Sequence, residues 1–498
     1  MHEAFCFIVD KMSSALGYCG KPIFPYNRAF YHVIRRKNME QKSNRIYAEM
    51  PPVRLFFHAA IPGVISMFAM SIYNIIEGIF VGQFVGGDAF AAMNLAMPLV
   101  MINFALADLV GVGSSVPISI ALGKKDEEKA SNIFSCAVIM IVLAGLATGI
   151  IMFLFAPDII RAIGAEGRVV DLAAKYLRIA TALGPLANLV FAMDNFLRIS
   201  GFVRGSMLLN LLMSGLQIVL VILFVAVWKL ELVGSALAIN LGFCICAVIS
   251  LIPFALGKSV LKFRKPKFSV PMLKRIVACG MPNFLNNIAG RLFSLVMNVL
   301  LIRMGGTLAV SAFSVLMYCS DLVQPVLYGL CDSMQPAIGY NWGAASYKRV
   351  KTLAKCVFTS TAVVSAFAFA LMFSIPRQLA SIFVDSSEIA LLDLSARALK
   401  LFSVEFLFWW FGFSAQSFFN AIQKPKNAAI LTVSTAIVFP LLMVVFLWPL
   451  GLDGLWLNQA ATYIPVGIIA FVMLRRLQKD LAVGCAYNVC ATSQDINI

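Results

Sequence analysis

Charge is what this sequence is short of. Asp, Glu, Lys and Arg fill 13% of the 498 positions, against about 25% in a soluble domain. Acids are the scarcer sign, 24 against 40 bases. Histidine occurs three times (His2, His32, His58), with no spacing suited to a metal. The eleven cysteines form no disulfide or zinc framework and read as reduced packing residues. No HExxH, GxSxG or paired-Asp pattern lies in the apolar runs, which disfavours an intramembrane enzyme. No filter-like segment is visible either, which disfavours a channel. The excess of bases does not indicate nucleic acid, because the Lys and Arg residues collect in the connectors between apolar runs.

What is present instead is apolar length. Hydrophobic residues make up 60% of the chain, and runs of about 20 residues, enough for one span, recur throughout. The stretch from Ala60 to Gly123 holds two such runs around a turn at Gly86-Gly87, with Glu77 inside the first. A second copy runs from Gly280 to Gly343 around Gly305-Gly306. Pro62 and Pro282, Gly123 and Gly343, Arg204 and Lys424, and Gly234 and Gly454 are each 220 apart. So regular a register is an internal repeat. Twelve spans are expected, near 55–82, 88–118, 130–156, 168–198, 203–228, 232–256, 272–302, 307–337, 347–373, 388–420, 426–448 and 452–474. Six per half is even, so the halves are parallel repeats, an arrangement found in secondary transporters.

The basic groups before span 1 and around Lys124, Arg204, Lys258–Arg275, Lys348, Lys424 and Arg475 all fall on one side if the spans alternate. The positive-inside rule makes that side, and both termini, cytoplasmic. The expected divisions are an N-terminal extension without order at 1–50, an N-lobe at 51–256, a basic cytoplasmic linker at 257–271, a C-lobe at 272–478 and a cytoplasmic tail at 479–498. Within the extension, the polar lead-in MEQKSNRIYAEM points to Met39 or a neighbour as the native start.

Ionisable groups inside spans are costly, so each is a functional candidate. Glu77 shares one helical stripe with Ser71 and Asn74. A carboxylate there suits reversible protonation, or with the Asn74 oxygen could ligate a small cation such as Na⁺. Asp108, Asp321, Asp332 and Glu405 are further candidates, with Arg291 as an internal ion-pair partner for Asp321 and Asp332. Asp194 and Arg198, four apart, suggest a local pair. Two apolar stripes could line a drug-accepting cavity: Met67, Met70, Met93, Met97 and Met101, and Phe402, Phe406, Trp409, Trp410 and Phe413 around Glu405. Lipid contact or ordinary packing explains either stripe equally well.

The segment AIPGVISMFAMSIYNIIEGIFVGQFVGGDAFAAMNLAMP, with LVGSALAIN at 232–240, QPAIGYNWGAASYKRVK at 335–351 and FNAIQKPKNAAI at 419–430, resembles the multidrug and toxic compound extrusion (MATE) family, nearest its MepA-type bacterial branch. The resemblance implies an all-α polytopic protein of the cytoplasmic (plasma) membrane, twelve helices in two six-helix lobes forming a V. It also implies an antiporter, working as a monomer without cofactor, that exports small organic, cationic compounds in exchange for H⁺ or Na⁺. A related fold flips lipid-linked sugars, which is the alternative; it would favour more Arg and Lys in the cavity than Arg291 and Arg198 provide. Glu77 stands where the family usually has a first-span Asp. The family's span-5 Asn and Asp fall at Gln217 and Val221, so an amide is kept and an acid is lost. The polar stripe and the resemblance together point to cation coupling at Glu77, Asn74 and Gln217, and the in-span acids and the two apolar stripes give Met70, Asp108, Glu405, Phe406 and Trp410 as substrate-cavity candidates, with membrane lipid around the spans.

Overall fold

Helices that are apolar around their whole circumference belong inside a bundle or in lipid, and most of the long helices among the described residues are of this kind. The computed structural model describes residues 46–84, 87–162, 166–384 and 388–494, and the side chains at 74, 75, 77–84, 87–91, 94, 291 and 480–494 lie outside that description. The expected start at Met39 therefore falls outside the described residues. Among these residues there is no strand. The first half contains α1 (Pro52–Phe84), α2 (Gly87–Gly123), α3 (Glu127–Leu154), α4 (Arg168–Ile199), α5 (Val203–Val227) and α6 (Glu231–Ala255). In the second, α7 (270–305) and α8 (307–343) run without a loop except at Gly306, whose φ of 64° and ψ of −160° break the helix. They are followed by α9 (Tyr347–Ser374), α10 (389–421), α11 (Pro425–Phe446) and α12 (Leu452–Lys479).

Ten helical stretches among the described residues are long and apolar enough to cross a membrane, with α7 and α8 counted together. The helix α10 is absent from that set because a 3₁₀ turn at Ser403–Glu405 divides it into Ile389–Phe402 and Phe406–Ala421. Outward-facing Leu143, Ile150, Val363, Phe446 and Ile468 stay exposed, as lipid-facing positions require.

The 220-residue repeat extends to single hydrogen bonds. At the end of α2, Lys124 N–H donates to Ile120 O (3.0 Å) and Asp126 N–H to Ala121 O (2.9 Å) across Lys125, which has φ 61°. At the end of α8, Ala344 N–H donates to Tyr340 O and Ser346 N–H to Asn341 O (both 2.9 Å) across Ala345, which has φ 54°. Both helices thus end in the same left-handed C-cap. Short helices also begin 220 residues apart, at Ala156 and Pro376.

The two halves meet where these caps lie. A Cβ placed on Gly123 would sit 2.1 Å from Tyr340 O, and one on Gly343 would sit 2.3 Å from Ile120 O. Gly123 and Gly343, and Ile120 and Tyr340, are repeat equivalents, so each half makes to the other the contact it receives. This reciprocity is the mark of a two-fold axis, and glycine is required because the backbones touch.

Two cytoplasm-expected segments are more ordered than their sequence suggests. The boundary at residue 50 cuts a packed segment: Tyr47 is 2% exposed, and burial, partly offset by Arg198, holds its hydroxyl well above the usual tyrosine range. That hydroxyl donates to Arg198 O in the first half. Arg349 of α9 donates to Tyr47 O (3.0 Å) and Met50 O (2.6 Å), and Asn341 of α8 also donates to Tyr47 O (3.2 Å). Residues 47–50 therefore tie the halves together. The basic linker likewise lies along α3, with Arg264 N–H on Ser135 Oγ (2.9 Å) and Lys267 N–H on Asn132 Oδ1 (2.8 Å). Its own Val260 and Leu261 are buried. At the far end, helix continues through the expected tail as far as Gln494.

Candidate functional site

Proline and glycine in α1, α2, α7 and α8 allow these four helices to approach closely, and α2 packs against both α7 and α8. Polar side chains gather where they cross. Asp108 of α2 accepts from Asn287 Nδ2 of α7 at 3.5 Å. Asp332 of α8 accepts from Gln335 Nε2 (2.9 Å), which also donates to Ser417 Oγ of α10 (3.0 Å). Asp332 lies within electrostatic reach of Asp108 and of Arg198. Two carboxylates within such reach repel when both are ionised, and a cation placed near both relieves that repulsion.

Arg198 is itself committed. It pairs with Asp194 Oδ2 at 2.8 Å and donates from Nε to Ser206 Oγ at 2.9 Å, almost fully buried. Asn210 donates to the same carboxylate (2.8 Å), and so does the Ser206 hydroxyl. The expected local pair is thus present, as part of a satisfied network joining α4 to α5. Asp321 is exposed on α8, and the Arg291 side chain expected beside it lies outside the described residues.

The residues expected to couple the cation fall on two helices in contact. Asn74 and Glu77 are in α1, which packs on α5, the helix of Gln217; their side chains lie outside the described residues. Gln217 is 1% exposed and donates from Nε2 to Ile239 O of α6 (3.2 Å). One of its two amide N–H bonds is therefore used in packing. Val221 is buried among Phe224, Val225 and Ala238.

The two apolar stripes divide. Met93 is buried among Val170, Tyr176 and Leu232, with Met97 packed against that cluster, and Met70 packs on the main interior cluster. Around Glu405, itself 5% exposed, Phe402, Phe406 and Trp409 belong to the core of the second half. Phe406, 0% exposed, is corrected from cavity wall to core: it stacks edge-on against Phe402 and Trp409 (6.3 and 5.9 Å between centroids) and has no surface to offer a substrate. Trp410 keeps an open face, its Nε1 donating to Leu407 O of its own helix (3.0 Å). Phe406→Ala is expected to cost about 3–5 kcal/mol of stability and to lower transport of every substrate in proportion to the protein lost from the membrane. Trp410→Ala is expected to keep normal protein levels and change the rank order of substrates. Quantitative blotting beside transport of three unlike substrates separates the two results.

The 220-residue register recurs in comparisons with known proteins. A single family model, MatE, matches twice, over residues 62–223 and 282–446, beginning at the paired prolines. The chain belongs to the MatE family. The multidrug export protein MepA of Staphylococcus aureus (strain NCTC 8325 / PS 47) is 27% identical over 448 residues, covering 87% of this chain and 97% of that one. The protein of the same name from Staphylococcus saprophyticus is 25% identical over 437 residues, covering 85% and 95%. Among solved structures, an outward-facing multidrug resistance MATE transporter superposes with a TM-score of 0.83 at 24% identity, over 88% of this chain and 98% of its own. A MOP-superfamily transporter from Pyrococcus furiosus superposes with a TM-score of 0.82 over the same shares at 24% identity. The fold is that of the MATE transporters, a multi-pass helical membrane protein of two lobes, and the crossing of α2 with α7 and α8 is the meeting of the lobes.

The part of the site that sequence reasoning missed is the set contributed by α7. Asn287 drew no attention because an amide near the middle of an apolar run looks like any helix–helix hydrogen bond. Only its position opposite Asp108 distinguishes it.

Proposed function

We propose that this chain is a twelve-span antiporter of the plasma membrane, both termini cytoplasmic, which exports small organic cations in exchange for H⁺ or Na⁺. One observation carries the reading: the Asp108 carboxylate of one lobe accepts from Asn287 of the other at 3.5 Å, at the interface that must rearrange if the halves alternate, with the Asp332 carboxylate of the second lobe within electrostatic reach of it. A cation between them is bound well in one arrangement and poorly in another, which is what exchange needs. The staphylococcal relatives named for multidrug export support the same activity. In this reading Glu77, with Asn74 and Gln217, takes the coupling ion, and Asp108, Glu405, Met70 and Trp410 border or support the substrate path.

The proton is the favoured coupling ion. Val221 occupies the position of a second N-lobe acid and is buried among apolar side chains, leaving a lone carboxylate that is easier to protonate than to keep charged around Na⁺. Ethidium transport in proteoliposomes, under separately imposed H⁺ and Na⁺ gradients, tests both statements. Ethidium movement driven by the proton gradient alone is the expected result. Movement under neither gradient would dismiss antiport, and movement under sodium alone would dismiss the proton.

A further inference from the structure

The basic linker between α6 and α7 holds five bases and no acid over residues 257–271. Four hydrogen bonds fix it to α3. Lys262 N–H donates to Ser131 Oγ (3.3 Å), Arg264 N–H to Ser135 Oγ (2.9 Å) and Lys267 N–H to Asn132 Oδ1 (2.8 Å). In return Asn132 Nδ2 donates to Lys267 O (3.0 Å). All four use the main chain of the linker, so none draws on its basic side chains.

The attachment points identify the side of α3 that the linker covers. Leu143 and Ile150 stand 143 − 132 = 11 and 150 − 132 = 18 residues beyond Asn132, about three and five turns at 3.6 residues per turn. They therefore share its stripe, and both are more than half exposed, as lipid contact requires. The linker lies on the lipid-facing side of α3 and not over the contact between the lobes. Its depth follows from helix length. Ser135 to Leu154 is 154 − 135 + 1 = 20 residues, about what the hydrocarbon core takes, and the charged Glu127, Glu128 and Lys129 precede them. The main chain of Arg264, bonded to Ser135, is thus at the edge of the hydrocarbon.

Two chemistries meet at that edge. Arg264, Lys265 and Lys267 are exposed. Arg264 pairs with Glu128 at 3.2 Å, but both side chains are open to solvent, and such a pair exchanges readily. Phe263, Phe268 and Val270 are exposed as well, although apolar. Phe263 rests on Phe134 of α3, 5.0 Å between centroids, and keeps the rest of its ring open. Bases beside aromatic rings at a bilayer edge match a charged headgroup above acyl chains. A nucleic acid or an acidic protein would meet the bases and leave the rings bare.

We infer that the linker is a docking surface for anionic phospholipid. Arg264, Lys265 and Lys267 hold a headgroup phosphate whose charge no choline offsets, and Phe263 and Phe268 lie among the first carbons of the acyl chains. The surface requires only that the chain spans a membrane, and it stands whether or not the protein exports cations.

The probe is phosphatidylglycerol, offered with an equal amount of phosphatidylcholine of the same acyl chains to the purified full-length chain in detergent. Native mass spectrometry counts the lipids retained. Phosphatidylglycerol is expected to exceed phosphatidylcholine at least threefold. Arg264→Gln, Lys265→Gln and Lys267→Gln combined should lower that ratio at least twofold. Lys348→Gln, Lys351→Gln and Lys355→Gln combined remove the same charge from exposed positions of α9 and should leave it unchanged. A wild-type ratio in the linker variant, or an equal fall in both variants, overturns the docking surface. A second measurement keeps all the bases and decides the matter if the linker variant fails to fold. Bimane attached at Phe268→Cys in a cysteine-free background should emit further to the blue in nanodiscs with one-third phosphatidylglycerol than in phosphatidylcholine nanodiscs. Water-like emission in both overturns the contact with lipid. Millimolar glycerol 3-phosphate should displace no phosphatidylglycerol, and displacement would assign the bases to a soluble phosphate instead.

Discussion

Glu77→Gln is expected to reduce proton-driven ethidium export to the level of protein-free liposomes while the variant still folds and still binds ethidium. Glu77 is the only acid in α1, whose other ionisable residues, Arg54 and His58, lie near its start. Gln keeps the size and hydrogen-bonding capacity of the protonated acid but cannot release a proton, so it fixes one protonation state and disconnects drug movement from the gradient. Glu77→Asp should retain part of the activity, being shorter by one methylene. Two measurements decide the matter: ethidium binding by fluorescence anisotropy, and export under a pH gradient. Undiminished proton-driven export by the Gln variant would move the coupling to another carboxylate, with Asp108 and Glu405 the next to substitute.

An equally large loss is expected from one added methyl group at the lobe contact. In Gly343→Ala the new Cβ would lie 2.3 Å from Ile120 O and 2.9 Å from Ile120 Cα. Both neighbours are backbone, so no rotamer change can relieve the overlap, and close-packed interiors yield little. The lobes must separate at this end. Export should therefore fall to background, and Ser119, now 2% exposed, should become reachable. With Ser119→Cys in a cysteine-free background, labelling by a membrane-impermeant maleimide from the basic-loop side should accelerate at least tenfold. Gly123→Ala should behave alike, because its Cβ would lie 2.1 Å from Tyr340 O. Gly215→Ala is the control: nothing lies within 4 Å of that Cβ, and alanine is favoured over glycine inside a helix by about 0.5–1 kcal/mol. Normal export and unchanged labelling in Gly343→Ala would show that the contact is not held during transport.

The same contact shows what the repeat means. In the sequence, Gly123 and Gly343 are two glycines 220 residues apart. In the structure each receives the carbonyl of the other's neighbour, Tyr340 and Ile120. A duplicated six-span unit thus forms its own partner surface, and a small shift at the axis is felt by both halves at once.

Membrane class and parallel halves were legible in the residues alone, whereas α2 and α8 run past the expected span ends at 118 and 337 to Gly123 and Gly343. Class and halves each depend on information local in the chain: apolar length against bilayer thickness and the spacing of prolines and glycines. The Asp194–Arg198 pair was legible for the same reason, since four residues on a helix place both groups on one face. Facing and burial were not. The stripe Phe402–Phe413 has helical spacing whether it meets solvent, lipid or core, and only the packing of α8 and α12 around it buries Phe406 and leaves Trp410 open. The cavity of about 130 Å³ between α7, α8, α10 and α12 was hidden because its rings, Phe293, Phe313, Phe402 and Trp456, come from four helices. Periodicity reports which residues share a face of one helix. Tertiary packing alone decided what that face meets, because in a chain with apolar residues on every side the pattern that marks a core in water is no longer distinct.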